Sequence, residues 1–303
     1  MVPSADAGSV AGDGGEHTGV IHDIGYRHYD GPRLGERYVQ RSLFLDSLRG
    51  AYGLGRSARS KVMPMLLLAV MCLPAVVMVV VTSMIRADEL PVTYREYPFE
   101  FQVVVAIFVA GQAPVLVSRD LRFRVVPLYF ARPLGRAAYV QAKVAAMVGA
   151  VLVLLVVPVT ILFIGALLLK QPLADELPDF LVALVVCLGY AVLLSGLALL
   201  IAALTPRRGL GVAAVITVLL VLSGVQSAIR GIATEYDEPA LADYSGLISP
   251  PALVDGLAGA VIDGSGSWSI GLTGTLVYAA VALTLVLGAY LALLLRYRRV
   301  PTS

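Results

Sequence analysis

Lysine, histidine and cysteine are almost missing from this 303-residue chain, and each shortage removes a class of function. The three histidines, His17, His22 and His28, all precede the first long apolar run, so no histidine lies where an intramembrane metal or proton relay would need one. The two cysteines, Cys72 and Cys187, each sit inside an apolar run, giving neither a disulfide framework nor a metal-type spacing. No GxxxxGK[ST] phosphate loop occurs: "GLGRS" at 53–57 lacks the lysine and the strand-loop-helix setting. A dinucleotide fingerprint, a nucleophile elbow and an HExxH helix are absent too. The chain therefore reads as no enzyme, holding no cofactor and no metal of its own.

Charge is also scarce. Charged residues make up 15% of the chain and hydrophobic ones 58%, against roughly a quarter charged in ordinary soluble domains. A bilayer core asks for about 20 predominantly apolar residues in helix, and six stretches supply them: 62–85, 99–117, 144–169, 180–204, 210–229 and 269–295. The expectation is an all-α, polytopic membrane protein with six spans. The first run begins too late, behind too many charges, for a cleaved signal peptide. Inside the spans ionisable groups are missing, with Glu100 only at an outer edge, which argues against proton-coupled antiport and intramembrane proteolysis.

Orientation follows from the flanking basic residues, which are held on the cytoplasmic side. The segments before the first span, between spans two and three, between four and five and after the sixth hold 19 of the 23 basic residues; only Arg86, Arg95, Lys170 and Arg230 fall on the alternate segments. Acidic residues mirror this, with 13 of 21 on the alternate segments. Both termini are thus expected in the cytoplasm, in a cell membrane. The preference for arginine over lysine, twenty to three, points to a GC-rich bacterial genome.

The domain plan is then a disordered tail at 1–20, a cytoplasmic leader and amphipathic elbow helix at 21–61, the six-span domain at 62–295 and a cytoplasmic tail at 296–303. Within 34–52, Leu34, Tyr38, Leu45, Leu48 and Tyr52 fall on one helical stripe, while Glu36, Arg37, Gln40 and Ser47 face away. Such a basic amphipathic helix ahead of a span reads as interfacial. The segment 118–143, "SRDLRFRVVPLYFARPLGRAAYVQAK", is too long and charged for a turn. In the external loop 230–268, the apolar stretch 247–262 is too short to span and reads as a re-entrant or interfacial hairpin, with Ser249 and Pro250 as its helix start. Trp268 stands where an interface anchor belongs. Weakly polar residues inside the spans, among them Gln112, Ser223, Gln226 and Tyr278, either knit the helices together or line a path for neutral or amphiphilic cargo.

The leader "IHDIGYRHYDGPRLGERYV" at 21–39 fits no metal: His22 and His28 with Asp23 and Asp30 match no ligand spacing. Tyr26, Arg27, Tyr29 and Arg33 are residue types enriched at interface hot spots, so the leader is read as a docking surface, with a solvated skirt as the alternative.

Six spans with cytoplasmic termini, an elbow helix, a basic segment after the second span and an apolar hairpin before the sixth together resemble the membrane subunit of an ATP-binding-cassette exporter of the type-2 permease family. The likeness covers residues 34–299 and is most specific after the second span, where Arg119 and Asp120, then "ARPLGR" from Ala131 to Arg136, then Lys143 follow the family's pattern; the usual Gly-Thr-Leu-Glu-like run is replaced by "RFRVVPLYF". The leader is similar to those of actinobacterial permeases of this family. The resemblance implies a dimer with an identical or related permease and two cytosolic ATPase subunits that bind the ATP and magnesium. It further implies that Arg119, Asp120, Arg122, Arg124, Arg132, Pro133 and Arg136 couple to the ATPase. The partners are then that ATPase, the second permease and the lipid bilayer, with no nucleic acid. A non-transporting assembly or regulatory membrane protein is the alternative, and an integral membrane enzyme a more distant one.

Overall fold

Apolar helices that end only where charge or proline appears are what these runs of Val, Leu and Ala form. In a computed structural model, residues 31, 34–87, 90–117, 120, 129, 134–205, 207–262 and 270–298 are described, and among them there is helix and no strand. The long elements are α1 (Glu36–Ala51), α2 (Ala58–Ile85), α4 (Gln102–Leu116), α5 (Arg136–Leu168), α6 (Leu173–Leu204), α7 (Arg208–Glu235) and α10 (Gly271–Arg298). Shorter ones are α3 (Tyr97–Glu100), α8 (Pro239–Tyr244), a 3₁₀ turn (Ser245–Leu247) and α9 (Pro250–Ile262). The chain divides at Gly35: in the unit Met1–Leu34 only Gly31 and Leu34 are described, and everything below concerns Gly35–Ser303.

Five helices, α2, α5, α6, α7 and α10, are long and apolar enough to cross a membrane. The expected second span differs. Its 99–117 stretch is two pieces, α3 and the 15-residue α4, broken at Phe101, whose φ of −98° and ψ of 23° leave the helical region. At about 1.5 Å per residue α4 covers some 22 Å, short of the roughly 30 Å hydrocarbon core. The break is held by Tyr97. Its ring packs on Phe101 at 4.8 Å, and its hydroxyl donates to the Met71 carbonyl at 2.5 Å, next to Val70, whose carbonyl Pro74 cannot serve. The remaining helices overlap the stretches expected from hydropathy, with ends that differ by at most eight residues, the largest extension being the start of α5 at Arg136.

Burial sorts the helices into a core and a rim. Within its most apolar window α6 is 56% buried and α5 44%, against 17% for each of α2, α7 and α10. α4 is short but central: Val105 to Ala106 and Phe108 to Pro114 are buried without interruption. The rim helices turn Leu66, Leu73 and Met84, Val221, and Leu283 and Leu291 outward. Apolar faces this continuous are stable against lipid, not water, and the chain has the architecture of a multi-pass membrane protein.

Helix α1 packs against α5 through part of the expected stripe, Leu48 and Tyr52, and through small residues beside it. Leu43, Ser47, Gly50 and Ala51 are buried, while Tyr38 and Leu45 are exposed. Small side chains win because they let two backbones approach: Phe44 and Leu48 reach the open side of Gly149, and the Tyr52 hydroxyl donates to the Ala150 carbonyl at 2.7 Å. Ser47, expected outward, is therefore inward. The turn into α2 needs Gly53, whose φ of +67° is left-handed and whose Cβ, if present, would lie 2.5 Å from the Ser60 carbonyl oxygen.

The same principle fixes α2 against α5 at Gly165, where a Cβ would lie 2.2 Å from Val79 Cγ2. Gly165→Ala is expected to cost about 1–3 kcal/mol through overpacking, seen as a lowered Tm in detergent. Val79→Ala combined with it should restore part of the loss; simple additivity in that cycle would refute the contact.

Candidate functional site

Two polar clusters interrupt the apolar bundle, one around the start of α5 and one where α7 and α10 meet the short helices. The first gathers around Asp120, beyond the end of α4. Lys143 and Tyr139 lie one turn apart on α5, hence on one face, and that face offers Asp120 two donors. Lys143 Nζ is 2.8 Å from Asp120 Oδ2, and the Tyr139 hydroxyl donates to the same oxygen at 2.8 Å. The lysine and aspartate side chains keep only 9% and 13% of their surface. A buried pair of this kind is stable because the carboxylate has a further donor in Tyr139 and the ammonium lies near the face of the same ring; alone, either would be a desolvated charge.

Aromatic rings close the cluster. The Tyr139 ring meets Tyr129 at 5.5 Å and Tyr297, near the end of α10, at 5.1 Å, with Lys143 Nζ 5.6 Å from the Tyr139 centroid. Around it the ends of other helices are tied in. Arg136 donates through Nη1 to the Arg298 carbonyl at 3.1 Å, the Gly135 amide donates to Glu36 Oε1 at 2.9 Å, and Gln40 Nε2 donates to Gln141 Oε1 at 3.2 Å. One carboxylate and one helix start thus hold together α1, the chain after α4, α5 and α10.

Of the expected coupling residues, this brings Asp120 and Arg136 to one end of the bundle. Arg119, Arg122, Arg124, Arg132 and Pro133 lie outside the described residues, as do Tyr26, Arg27, Tyr29 and Arg33 of the leader. Tyr139 and Tyr297 were not singled out by sequence. Tyr139 carried a signal, four residues ahead of the lone lysine of its helix; Tyr297, more than 150 residues away, carried none.

The second cluster takes three of the four residues considered for a path. Ser223 and Gln226 sit three apart on α7 and face the connection between α8 and α9. Ser223 Oγ is 2.9 Å from Ser249 Oγ, and Gln226 Nε2 donates to Ser245 Oγ at 3.5 Å. The Tyr278 hydroxyl on α10 donates to the Asp243 carbonyl at 2.5 Å, its ring lying against Gly256 of α9. These groups knit the short helices onto α7 and α10. Gln112 stands apart, buried on α4, with its Nε2 3.4 Å from Met63 Sδ of α2. No group of three or more His, Cys, Asp or Glu among the described residues could hold a metal ion.

No protein-family profile matches this chain, and no curated protein matches it. Its functional assignment therefore rests on residues and geometry.

Removing one member of the buried pair strands the other. Lys143→Met is expected to destabilise the detergent-purified protein by about 3–5 kcal/mol, and Lys143→Met with Asp120→Asn by clearly less. Thermal unfolding of the two variants checks this: a double variant as unstable as the single one would show that the pair carries no special role.

Proposed function

We propose that this chain is the membrane-spanning permease subunit of an ATP-driven exporter, working as a dimer with a like or related permease above two cytosolic ATPase subunits. On this reading α3 and α4 together form a sixth span, both termini lie in the cytoplasm, and α1 is the elbow helix at the inner interface of a bacterial cell membrane. The observation that carries the proposal is the Asp120–Lys143–Tyr139 cluster, because it joins the segment on which an ATPase would act to the helices that would have to move.

The physical logic runs outward from that cluster. The chain itself contains no phosphate loop, so the energy must come from a partner. The strongly basic 118–143 segment offers that partner a charged surface between two helices, with Arg119, Arg122, Arg124 and Arg132 as its cations. A displacement of this segment is passed to α5 by Lys143 and Tyr139, to α10 by the Arg136 bond and the Tyr139–Tyr297 ring contact, and to α1 by Glu36, since each of these contacts joins two elements directly. Tyr26, Arg27, Tyr29 and Arg33 of the leader provide a second contact to the ATPase. At the far end, Ser223, Gln226 and Tyr278 hold the short helices α8 and α9 as an external cap over the pathway.

Three arms test this. A cytosolic phosphate-loop ATPase encoded beside this gene should co-purify with the chain and hydrolyse ATP in nanodiscs only as the complex. Reversal of Arg119, Arg122 and Arg124 to Glu should lower that turnover at least tenfold while the permease still inserts, and Tyr26→Ala with Arg27→Ala should weaken association. Absence of any ATPase partner, or full turnover in the triple reversal, would sink the transport reading. Orientation has its own check. In a background lacking Cys72 and Cys187, a cysteine at Ser57 should react with an impermeant thiol reagent only after lysis, and one at Thr93 in intact cells.

A further inference from the structure

Helix α1 turns one face to α5 and leaves the other uncovered. Leu43, Ser47 and Gly50 are buried on the packed side. On the opposite side Arg41, Leu45 and Arg49 follow one another at four-residue intervals, a spacing that sets them in one row along the helix. Tyr38, three residues before Arg41 and seven before Leu45, shares that face. All four are exposed, Tyr38 over 56% and Leu45 over 36% of its surface. Arg37 stands exposed beside them, one turn before Arg41.

The charge of this face is not offset from within the helix. Among the described residues none of Arg37, Arg41 and Arg49 has an ion-pair partner. The two carboxylates of α1 are directed elsewhere: Glu36 accepts the Gly135 amide, and Asp46 borders a small cleft with Ser47, Arg56 and Lys143. Arg37 and Arg41, four residues apart, repel each other and gain from an external anion.

The depth of α1 along α5 brings this face to the edge of the hydrocarbon. α5 carries no charge from Val144 to Leu168, so its apolar region begins beyond Lys143. α1 crosses that level. Gln40 bonds Gln141 on the polar side of it, while Leu48 reaches the open side of Gly149 and the Tyr52 hydroxyl donates to the Ala150 carbonyl on the apolar side. Arg41, next to Gln40, therefore stands toward the polar side, and Arg49, next to Leu48, beside the apolar part of α5. A cation there holds its charge by extending its apolar stem back toward polar headgroups.

We propose that this face of α1 binds anionic phospholipid, with Arg37, Arg41 and Arg49 holding phosphate oxygens and Tyr38 and Leu45 resting on the glycerol and upper acyl chains. Guanidinium groups match phosphate oxygens with paired N–H donors, and a negatively charged lipid supplies that partner together with apolar surface for the two side chains between the arginines. A second copy of the chain would instead set the same three cations against their like. The inference rests on α1 lying at the membrane interface, as in the reading above, and not on transport.

Fluorescence quenching in bilayers tests it. Trp268 is the single tryptophan, so Trp268→Phe with Leu45→Trp puts one reporter on this face, and Trp268→Phe with Leu283→Trp puts one on the exposed surface of α10 within its span. Each full-length permease, without any ATPase, is reconstituted in mixtures of phosphatidylcholine and phosphatidylglycerol in which one or the other carries brominated chains. At Leu45→Trp, brominated phosphatidylglycerol should be preferred about fivefold or more, the gain of a single arginine near an anionic surface. At Leu283→Trp the two lipids should quench alike. Arg37→Gln, Arg41→Gln and Arg49→Gln together should abolish the preference at Leu45→Trp. Equal quenching by both lipids at Leu45→Trp, a preference unchanged by the triple variant, or no quenching by either lipid because protein covers the face, would overturn the proposal. Should the triple variant fail to elute as a single species, Arg41→Gln with Arg49→Gln carries the comparison under the same outcomes. ATPase co-purification is read separately, so failure of the lipid preference and failure of the transport reading are told apart.

Discussion

Backbone amides and carbonyls that find no water must bond to one another, and every long element of this chain answers that constraint as a helix. The rest of the structure depends on it. Once the helices close their own hydrogen bonds, the forces left to arrange them are close packing and a few polar contacts, because lipid competes equally for apolar side chains. Packing dominates the middle of the bundle. Gly165 against Val79 and Gly111 against Met63 are places where a missing Cβ sets how near two helices come.

Polar contacts dominate the ends. Around Asp120 the contacts are ionic and aromatic and bind four separate stretches through one carboxylate and one helix start. Around Asp243 and Ser249 hydroxyl and amide bonds fasten short helices to long ones, with the charges of Asp243, Arg230 and Asp255 close to Tyr278. A charged, desolvated knot resists partial opening, since separating its members exposes each to the full cost of a buried charge.

The apolar runs and their limits could be read in advance because hydropathy acts on each residue locally: α2, α5, α6, α7 and α10 lie where charge-free stretches place them. The division of the second span at Phe101 could not, since it comes from Tyr97 reaching a carbonyl of α2 beside Pro74. The packing face of α1 was legible in part: Leu48 and Tyr52 of its apolar stripe meet α5, and beside them α5 accepts Ser47, Gly50 and Ala51 because small residues fit it. Asp120 and Arg136 were visible as candidates through their motif; Tyr297 acquires meaning only once α10 returns to the start of α5.

Sequence alone determined that this chain is a bundle of apolar helices with its charges sorted unevenly between the connecting segments, because transfer of each side chain from water is a local property summed along a run. Tertiary structure alone decided which helices form the core, that Asp120 meets Lys143 and Tyr139, and that Ser223, Gln226 and Tyr278 converge on one connection. Those outcomes depend on the shapes of facing surfaces and on contacts between residues far apart in the chain, which no periodicity within a single helix encodes.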